Sequence, residues 1–312
     1  MAEQVVVGID VSKDQLDLAC WPEGLSECYP NSEAGLDQML AHLQPLTIDL
    51  IVLEATGGYQ RLAVSTLAAN GLPVVMVNPR QARDFAKSTG QLAKTDKLDA
   101  RGLAHFGHAT RPQLRELPDD DQRQLQSLVT RRRQLIEMRT AELNRLQQAS
   151  CAAMSEDITD HLRELDDRIA AIERQINEMI EGSELWQERI KLLCTAKGVG
   201  PVLAFSLVSD LPELGRINRK KIGKLVGLAP LNCDSGKSRG KRKTWGGRAP
   251  VREALYMPTL SAIRHNPAIR QMYERLIANG KARMVAVVAC MHKLLTILNA
   301  MVRDKQPWQP NY

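Results

Sequence analysis

The sequence predicts a fold of the α/β plus α class: an α/β N-terminal domain, a central coiled-coil arm and a mainly helical C-terminal domain. Short apolar runs alternate with helical stretches over residues 1–118, which favours α/β layers around a partly parallel sheet. Residues 119–190 contain no proline and carry a heptad pattern. Residues 191–312 are helical by pattern, with one strongly basic loop. We therefore expect three domains, over residues 1–118, 119–190 and 191–312.

The N-terminal domain alternates between two kinds of element. Runs rich in Val, Ile and Leu predict buried strands, and longer stretches with helical spacing of apolar residues predict the helices between them. The strands are expected over residues 5–9, 15–21, 27–30, 49–53 and 73–77, and the helices over residues 36–46 and 60–70.

The central region carries a seam of apolar residues separated by alternating steps of three and four. This spacing is typical of the a and d positions of a heptad. The seam consists of Leu162, Leu165, Ile169, Ile172, Ile176 and Met179. Together with the arginine-rich stretch 125–146 it predicts two long helices, joined near residues 151–157. The arm would serve dimerisation or nucleic-acid contact, and the alternative is a hairpin that packs on itself.

Four carboxylates form the candidate metal site. Asp10 and Glu54 each follow an apolar strand, and the two strands are expected to lie side by side in a ribonuclease-H-type sheet. Asp96 and Asp99 are three residues apart, which places both on one face of a helix. Such oxygen ligands suit Mg²⁺, whereas each acid alone is equally explained as a cap or a solvated face. We expect Asp14 and Asp17 to be exposed instead.

The segment between residues 216 and 252 concentrates positive charge, with Asp234 as its one acid. This pattern favours nucleic-acid binding, because each neutralised phosphate releases counterions. Interleaved glycines allow close approach of backbone to phosphate, and a tryptophan is suited to stacking on a base. The predicted nucleic-acid-binding residues are Lys237, Arg239, Lys241, Arg242, Lys243, Trp245, Arg248 and Arg252.

Ser235 opens this basic loop, directly before Gly236. A hydroxyl nucleophile needs a base, a metal or positive surroundings, and no histidine lies near it in the sequence. From the residues alone a Ser-Gly pair is usually a turn, and Ser238 and Cys233 are equally open candidates.

The overall charge and the N-terminus bear on the cellular setting. The net charge is +6 and the pI is about 9.0, which is compatible with a polyanionic partner. The N-terminus lacks the basic and apolar regions of a signal peptide, and we find no run of 18 apolar residues. We expect a cytoplasmic, nucleoid-associated bacterial protein that does not enter a membrane.

Motifs over nearly the whole chain resemble a known family. Those of the first half are Gly8-Ile-Asp-Val-Ser-Lys, Leu53-Glu-Ala-Thr-Gly-Gly-Tyr and Lys94-Thr-Asp-Lys-Leu-Asp-Ala. Those of the second half are Gly198-Val-Gly-Pro, Leu225-Val-Gly-Leu-Ala-Pro, Asp234-Ser-Gly-Lys, Gly246-Gly-Arg and Val251-Arg-Glu-Ala-Leu-Tyr-Met. In this order they are similar to the DEDD-type insertion-sequence transposases related to the Piv DNA invertase.

The resemblance implies a RuvC-like ribonuclease-H fold for the N-terminal domain and a transposase domain at the C-terminus. It implies that Asp10, Glu54, Asp96 and Asp99 form an Mg²⁺-dependent tetrad and that Ser235 is the nucleophile. The implied reaction cuts donor and target DNA through a phosphoserine and rejoins the strands without net hydrolysis. It further implies a structured bridge RNA as guide, and homodimers that pair into tetramers with active sites shared between subunits.

Two other functions remain open at this point. One is a RuvC-like junction nuclease, in which water attacks and Ser235 is structural. The other is a non-catalytic nucleic-acid-binding protein held together by its coiled coil. Loss of a covalent protein–DNA adduct on changing Ser235 to Ala separates the recombinase from the nuclease, and magnesium-dependent cleavage excludes the binding protein.

Overall fold

The computed structural model describes residues 5–22, 25–55, 57–91, 96–114, 118–232, 234–236, 238–240 and 242–309, without the side chains of residues 96, 97, 238 and 239. The chain divides into two compact units, Met1–Leu117 and Pro118–Tyr312. Unit 1 is mixed α/β and unit 2 is almost entirely helical, which confirms the α/β plus α class. The stretch predicted as a separate arm, residues 119–190, falls within unit 2.

Unit 1 is built on one five-stranded sheet. Its strands are β1 (Val5–Val11), β2 (Gln15–Trp21), β3 (Ser26–Pro30), β4 (Ile48–Glu54) and β5 (Val74–Val77). Their order is β3-β2-β1-β4-β5; β2 is antiparallel to β1 and β3, whereas β4 is parallel to β1 and β5. All five predicted strands are confirmed, and so is the adjacency of the first and fourth.

Helices cover both faces of this sheet. They are α1 (Glu33–Leu43), α2 (Arg61–Ala69), α3 (Pro79–Ser88) and α4 (Asp96–Thr110). Helices α1 and α2 share one hydrophobic core with the sheet, and α3 and α4 share the other. Helix α3 was not predicted, because it is a short helix of mostly polar residues in which only Ala82 and Ala86 are buried. Its first turn is set by Asn78, whose side chain accepts a hydrogen bond from the N–H of Arg80.

Unit 2 begins with an antiparallel helical hairpin formed by α5 (Asp120–Leu146) and α6 (Ala152–Glu181). The direction follows from two ion pairs between the helices. Arg132 Nε donates to Glu173 at 2.8 Å, and Arg139 Nε donates to Asp166 at 2.5 Å, so residue numbers rise on one helix as they fall on the other. The two predicted long helices are thus confirmed.

The heptad seam of α6 is covered within the chain. Leu165 and Ile169 pack against Leu135 of α5 in one cluster. Nearer the base of the hairpin, Ile176 is fully buried in the main core of unit 2 together with Leu125. The seam therefore packs the hairpin on itself, the alternative left open by the sequence, and a coiled coil between subunits stays a prediction.

The rest of unit 2 is a helical bundle. Its helices are α7 (Glu184–Cys194), α8 (Pro201–Asp210), α9 (Arg219–Val226), α10 (Ala249–His265), α11 (Pro267–Ala278) and α12 (Arg283–Asp304), with a small hairpin of β6 (Asp234–Ser235) and β7 (Ser238–Arg239) after α9. By length and composition α12 could cross a membrane, and 56% of its apolar window is buried inside the structure. Its fully buried Cys290, Leu294 and Leu298 belong to the core of the bundle, so α12 is the central helix of this unit.

Candidate functional site

The ends of β1 and β4 bring Asp10 and Glu54 to neighbouring positions. The two strands are parallel, and Ile9 lies opposite Leu53 in their register. Asp10 and Glu54 are the next residues of the two strands and are both partly buried. The Asp10 carboxylate accepts a hydrogen bond from the N–H of Val11 at 3.1 Å. The sequence pattern of an acid after each apolar strand therefore located two residues that are neighbours in the sheet.

Both carboxylates face the side of the sheet that α4 covers. Side chains alternate between the two faces of a strand. Val6 of β1 and Val52 of β4 belong to the core cluster under α3 and α4. Asp10 follows Val6 by four positions and Glu54 follows Val52 by two. Because both spacings are even, the two acids lie on the same face of the sheet as these valines. They lie at the end of the sheet face on which α4 rests.

The N-terminal half of α4 lies directly on β1 beside Asp10. A Cβ added to Gly8 would lie 2.1 Å from the carbonyl oxygen of Ala100 and 2.4 Å from the nitrogen of Ala104. Only glycine permits this approach of helix backbone to strand. Asp99 immediately precedes Ala100 and is thereby brought close to the end of β1.

Asp99 is mostly buried, and its environment is partly cationic. Its side chain is 21% exposed and lies 3.8 Å from Nη1 of Arg83 on α3. Asp96 is the first residue of α4, three positions before Asp99, and its side chain lies outside the described residues. The predicted helical placement of the second acidic pair is thus observed, and the direction of the Asp96 carboxylate stays a prediction.

Asp17 is an additional buried carboxylate, and our expectation that it would be exposed is wrong. It is 7% exposed and lies directly opposite Asp10 in the antiparallel pairing of β1 and β2. Directly opposite residues share a face of the sheet, with Cβ atoms about 4.5–5.5 Å apart. Asp17 was misjudged because α4 covers this face of β2 as well. The short connection between the two strands was the sequence signal that could have shown the register.

The donor set on this face consists of carboxylate oxygens, which are the ligands that Mg²⁺ prefers. Asp10, Asp17 and Glu54 lie on three adjacent strands, and Asp99 is held above them by α4. Among the residues whose side chains are described, no three acidic, histidine or cysteine groups are close enough together to form a complete metal site. The side chain of Asp96 is not among those described, so it is not part of this comparison. The chemistry of these carboxylates suits a hard cation.

An aromatic cluster fixes α4 against β2 on the same face. The rings of Trp21 and His105 are stacked, with centroids 4.1 Å apart and planes 12° from parallel. The guanidinium carbon of Arg101 lies 6.0 Å from the Trp21 ring centroid. Burial lowers the pKa of His105, and the neighbouring His108 lowers it further. A neutral His105 therefore stacks on Trp21 at neutral pH.

Ser235 lies in a short exposed hairpin in unit 2. In this segment, which we call the serine hairpin (Asp234–Arg239), Asp234 pairs with Arg239 and Ser235 with Ser238. Ser235 is exposed and directly precedes Gly236, whose φ of 53° suits a tight two-residue turn. The sequence predicted a turn here but not the paired strands. Cys233, Lys237 and Lys241 lie outside the described residues.

The predicted nucleic-acid-binding residues whose side chains are described fall into two groups. Arg242, Lys243 and Trp245 are exposed, with Trp245 at 56%. Arg248 and Arg252 are partly buried, and their guanidinium groups donate hydrogen bonds to their own chain. The side chain of Arg239 lies outside the described residues.

Basic side chains also precede the serine hairpin in the chain. They lie on α9 and just before it, and all five are exposed: Arg216, Arg219, Lys220, Lys221 and Lys224. Three of them are in the first turn of α9, where cations are unfavourable next to the positive end of the helix dipole. Such an arrangement is stabilised by an anion, which fits a polyanionic ligand.

Comparison with known proteins identifies related families for both units. The DEDD transposase model of the IS110 group matches residues 7–149, and the model described as transposase IS116/IS110/IS902 family matches residues 190–274. Together these matches cover more than half of the chain.

Individual relatives agree with these matches. The "Pilin gene-inverting protein" of Moraxella bovis is 30% identical, with 97% of each chain covered, and that of Moraxella lacunata is equally similar. The "Transposase for insertion sequence element IS1111A" of Coxiella burnetii is 22% identical, covering 76% of this chain and 71% of its own. Among solved structures, "T. thermophilus RuvC in complex with Holliday junction substrate" covers 37% of this chain and all of its own, at 15% identity and a TM-score of 0.29.

Proposed function

The chain belongs to the IS110 family of transposases and is a DNA recombinase, and from this premise we propose how its two units share the chemistry. The acidic face of unit 1 holds Mg²⁺, and Ser235 of unit 2 attacks the DNA phosphate. The observation that carries the proposal is the neighbouring position of Asp10 and Glu54 on the sheet face under α4. Membership of the family supports the proposed role of Ser235 as the nucleophile, since the motif Asp234-Ser-Gly-Lys lies within the second matched region.

In this proposal Asp10, Glu54, Asp96 and Asp99 are the metal ligands. Bound there, Mg²⁺ would stabilise negative charge on the attacking and leaving oxygens of a phosphoryl transfer. The sheet order and the parallel β1–β4 pair support a RuvC-like ribonuclease-H assignment for unit 1. The close contact of α4 with Gly8 keeps Asp99 near the strand carboxylates. A rigid acidic face of this kind needs little rearrangement when the substrate arrives.

Ser235 supplies the nucleophile. A bond forms between its Oγ and the phosphorus while the phosphorus–oxygen bond to one DNA strand breaks. The hydroxyl proton passes through water to the departing DNA oxygen, which becomes a free hydroxyl. A hydroxyl of the exchanged strand then attacks the phosphoserine, the Ser235 hydroxyl is restored, and no phosphodiester is lost to hydrolysis.

Exposed cations around the serine hairpin hold the nucleic acids. Arg242, Lys243 and Trp245 are suited to phosphate contact and base stacking. We include Lys237, Arg239 and Lys241 in this surface on the sequence pattern. Donor and target DNA are the substrates, and a structured bridge RNA selects them by base pairing. The protein acts in the bacterial cytoplasm at the nucleoid.

The proposed assembly is a homodimer that pairs into a tetramer. Its active sites are composite: the carboxylates of one subunit act with Ser235 of another. Because the seam of α6 is covered by α5 within the chain, the dimer contact is expected on other surfaces of the arm.

Ser235→Ala compared with Ser238→Ala tests the proposal. Ser238 is paired with Ser235 across the turn of the hairpin, so the two variants remove the same hydroxyl group from opposite strands. We expect Ser235→Ala to abolish Mg²⁺-dependent strand cleavage and the covalent protein–DNA adduct, while Ser238→Ala retains both. Cleavage without an adduct in Ser235→Ala would support the junction nuclease and overturn the recombinase mechanism.

A further inference from the structure

We propose that Arg248 and Arg252 are positioning residues that fix the serine hairpin, and that they do not contact nucleic acid. This inference rests on the proposed role of Ser235. The two arginines, with Gly227 and Gly247, close the base of the segment 227–247 that carries the hairpin. We call these four residues the clasp. The sequence predicts both arginines to bind nucleic acid, whereas their hydrogen bonds within the chain favour a structural role.

The two ends of the segment meet backbone to backbone. A Cβ on Gly247 would lie 2.3 Å from the nitrogen of Gly227, and a Cβ on Gly227 would lie 2.0 Å from the carbonyl oxygen of Gly246. Gly227 and Gly247 have φ values of 78° and 72°, a region that side chains disfavour. Glycine is therefore required at both positions, and the segment enters and leaves the helical bundle at one point.

Arg252 joins the two ends directly. Its Nη1 donates to the carbonyl oxygen of Val226 at 3.2 Å and to that of Gly246 at 2.7 Å. One carbonyl precedes the segment and the other lies at its far end. Since a single planar guanidinium holds both, any opening of the base breaks at least one of these bonds.

Arg248 ties the same base to the last residue of α8 and to the turn that follows it. Its two terminal nitrogens donate to the two carboxylate oxygens of Glu213, both at 2.6 Å, and Nη1 also donates to the carbonyl oxygen of Asp210 at 2.9 Å. The side chains of Arg248 and Glu213 are 31% and 19% exposed. A bidentate pair of this kind neutralises the arginine and leaves it few donors for a phosphate.

The clasp determines where Ser235 is held. Above the base, Leu231 and Lys243 form a rung in which their N–H groups donate to each other's carbonyl at 2.9 and 3.4 Å. The pairs of the serine hairpin follow. Because residues 230–232 and 242–245, between the clasp and the tip, are exposed, their position depends on the base more than on packing. A shift of about 1 Å at a reacting group can cost roughly a hundredfold in rate.

The experiment compares Arg252→Met and Arg252→Lys with Arg242→Met. Arg242 is an exposed cation of the same segment and serves as the matched control. Three quantities are measured for each variant: the salt dependence of duplex DNA binding, amide hydrogen exchange at Leu231 and Lys243, and the single-turnover rate of adduct formation. A thermal melt of each variant checks folding, and the lysine variant supplies the milder change.

For Arg252→Met the clasp predicts an unchanged salt slope, faster exchange at Leu231 and Lys243, and a rate of adduct formation reduced roughly tenfold to a hundredfold. Arg252→Lys keeps the positive charge, but the shorter lysine side chain does not reach both carbonyl oxygens. The rate of adduct formation therefore falls in this variant as well. For Arg242→Met we expect a slope smaller by about 0.9 per lost phosphate contact, with unchanged exchange.

The opposite pattern would overturn the proposal: a reduced slope for Arg252→Met, native exchange, and a normal rate for Arg252→Lys would make Arg252 a phosphate contact. Failure of the proposed function looks different. In that case Ser235→Ala retains activity, while exchange and salt slope still report on the clasp.

Discussion

Gly8→Ala is the most direct test of how α4 is held against the acidic strands. The added Cβ would lie 2.1 Å from the carbonyl oxygen of Ala100, where ordinary contacts begin at 3.4 Å, a deficit of about 1.3 Å. The nitrogen of Ala104 is also too close, at 2.4 Å. Both obstacles are helix backbone, so no side-chain rotation relieves them. The helix has to move outward, and it carries Asp99 with it.

The expected cost is about 1–3 kcal/mol in the free energy of unfolding, the range for overpacking a well-packed core. A displacement of this size at Asp99 should also weaken binding of Mn²⁺, used as a probe for the proposed metal site, by roughly tenfold to a hundredfold, the range for changes to residues that support metal ligands. Urea unfolding followed by circular dichroism measures the first quantity, and isothermal titration with Mn²⁺ measures the second.

Gly102→Ala is the matched control within α4. Its Cβ would meet side-chain atoms of Gln91 and Ala86 no closer than 3.7 Å. Alanine is also the better helix former by up to about 1 kcal/mol. We expect this variant to be as stable as the native chain or more stable, with native Mn²⁺ affinity. If Gly8→Ala unfolded and bound Mn²⁺ like Gly102→Ala, the described contact between α4 and β1 would be wrong.

Three further predictions concern buried groups. Asp17→Asn removes a carboxylate directly opposite Asp10, so it should raise the metal-free stability by about 0.2–1 kcal/mol and lower the Mn²⁺ affinity that negative charge on this face supports. Lower stability with unchanged affinity would contradict this placement of Asp17 beside Asp10. The pKa of His105 is lowered in the fold, mainly by burial, so the unfolded chain binds its proton first and stability falls as pH drops below about 6.5. His105→Gln should flatten this fall between pH 7 and 5 in thermal melts, and an equally steep fall would assign it to other groups. Ile176→Ala should cost about 2–5 kcal/mol in urea unfolding because Ile176 is fully buried, whereas Leu185→Ala, at a residue 55% exposed, should cost little.

The sheet and its first two acids could be predicted because the signal is local. An apolar run followed by an acid marks the end of a strand, and the parallel pairing of β1 and β4 then places Asp10 beside Glu54. The burial of Asp17 could not be predicted in the same way. It depends on α4 crossing the sheet, and that crossing depends on Gly8, a residue whose importance is visible only in three dimensions.

In the basic segment too, the sequence predicts the general character of the region but not the contacts of individual residues. Charge density correctly marked an exposed cationic region, and Arg242 and Lys243 are indeed exposed. Charge density could not distinguish these exposed residues from Arg248, because Arg248 is paired with Glu213, which lies 35 positions earlier in the chain. The paired strands around Ser235 were missed since they are only two residues long and carry no apolar alternation.

The most direct test of the mechanism is to identify the residue that becomes linked to DNA. The protein is incubated with DNA, Mg²⁺ and the proposed guide RNA, and the adduct is trapped by denaturation. The nucleotide-bearing peptide is then sequenced by mass spectrometry. We expect the nucleotide on Ser235, and no adduct in Asp10→Asn or in the presence of a chelator. A nucleotide on another side chain, or an adduct that forms without the Asp10 carboxylate, would contradict the mechanism.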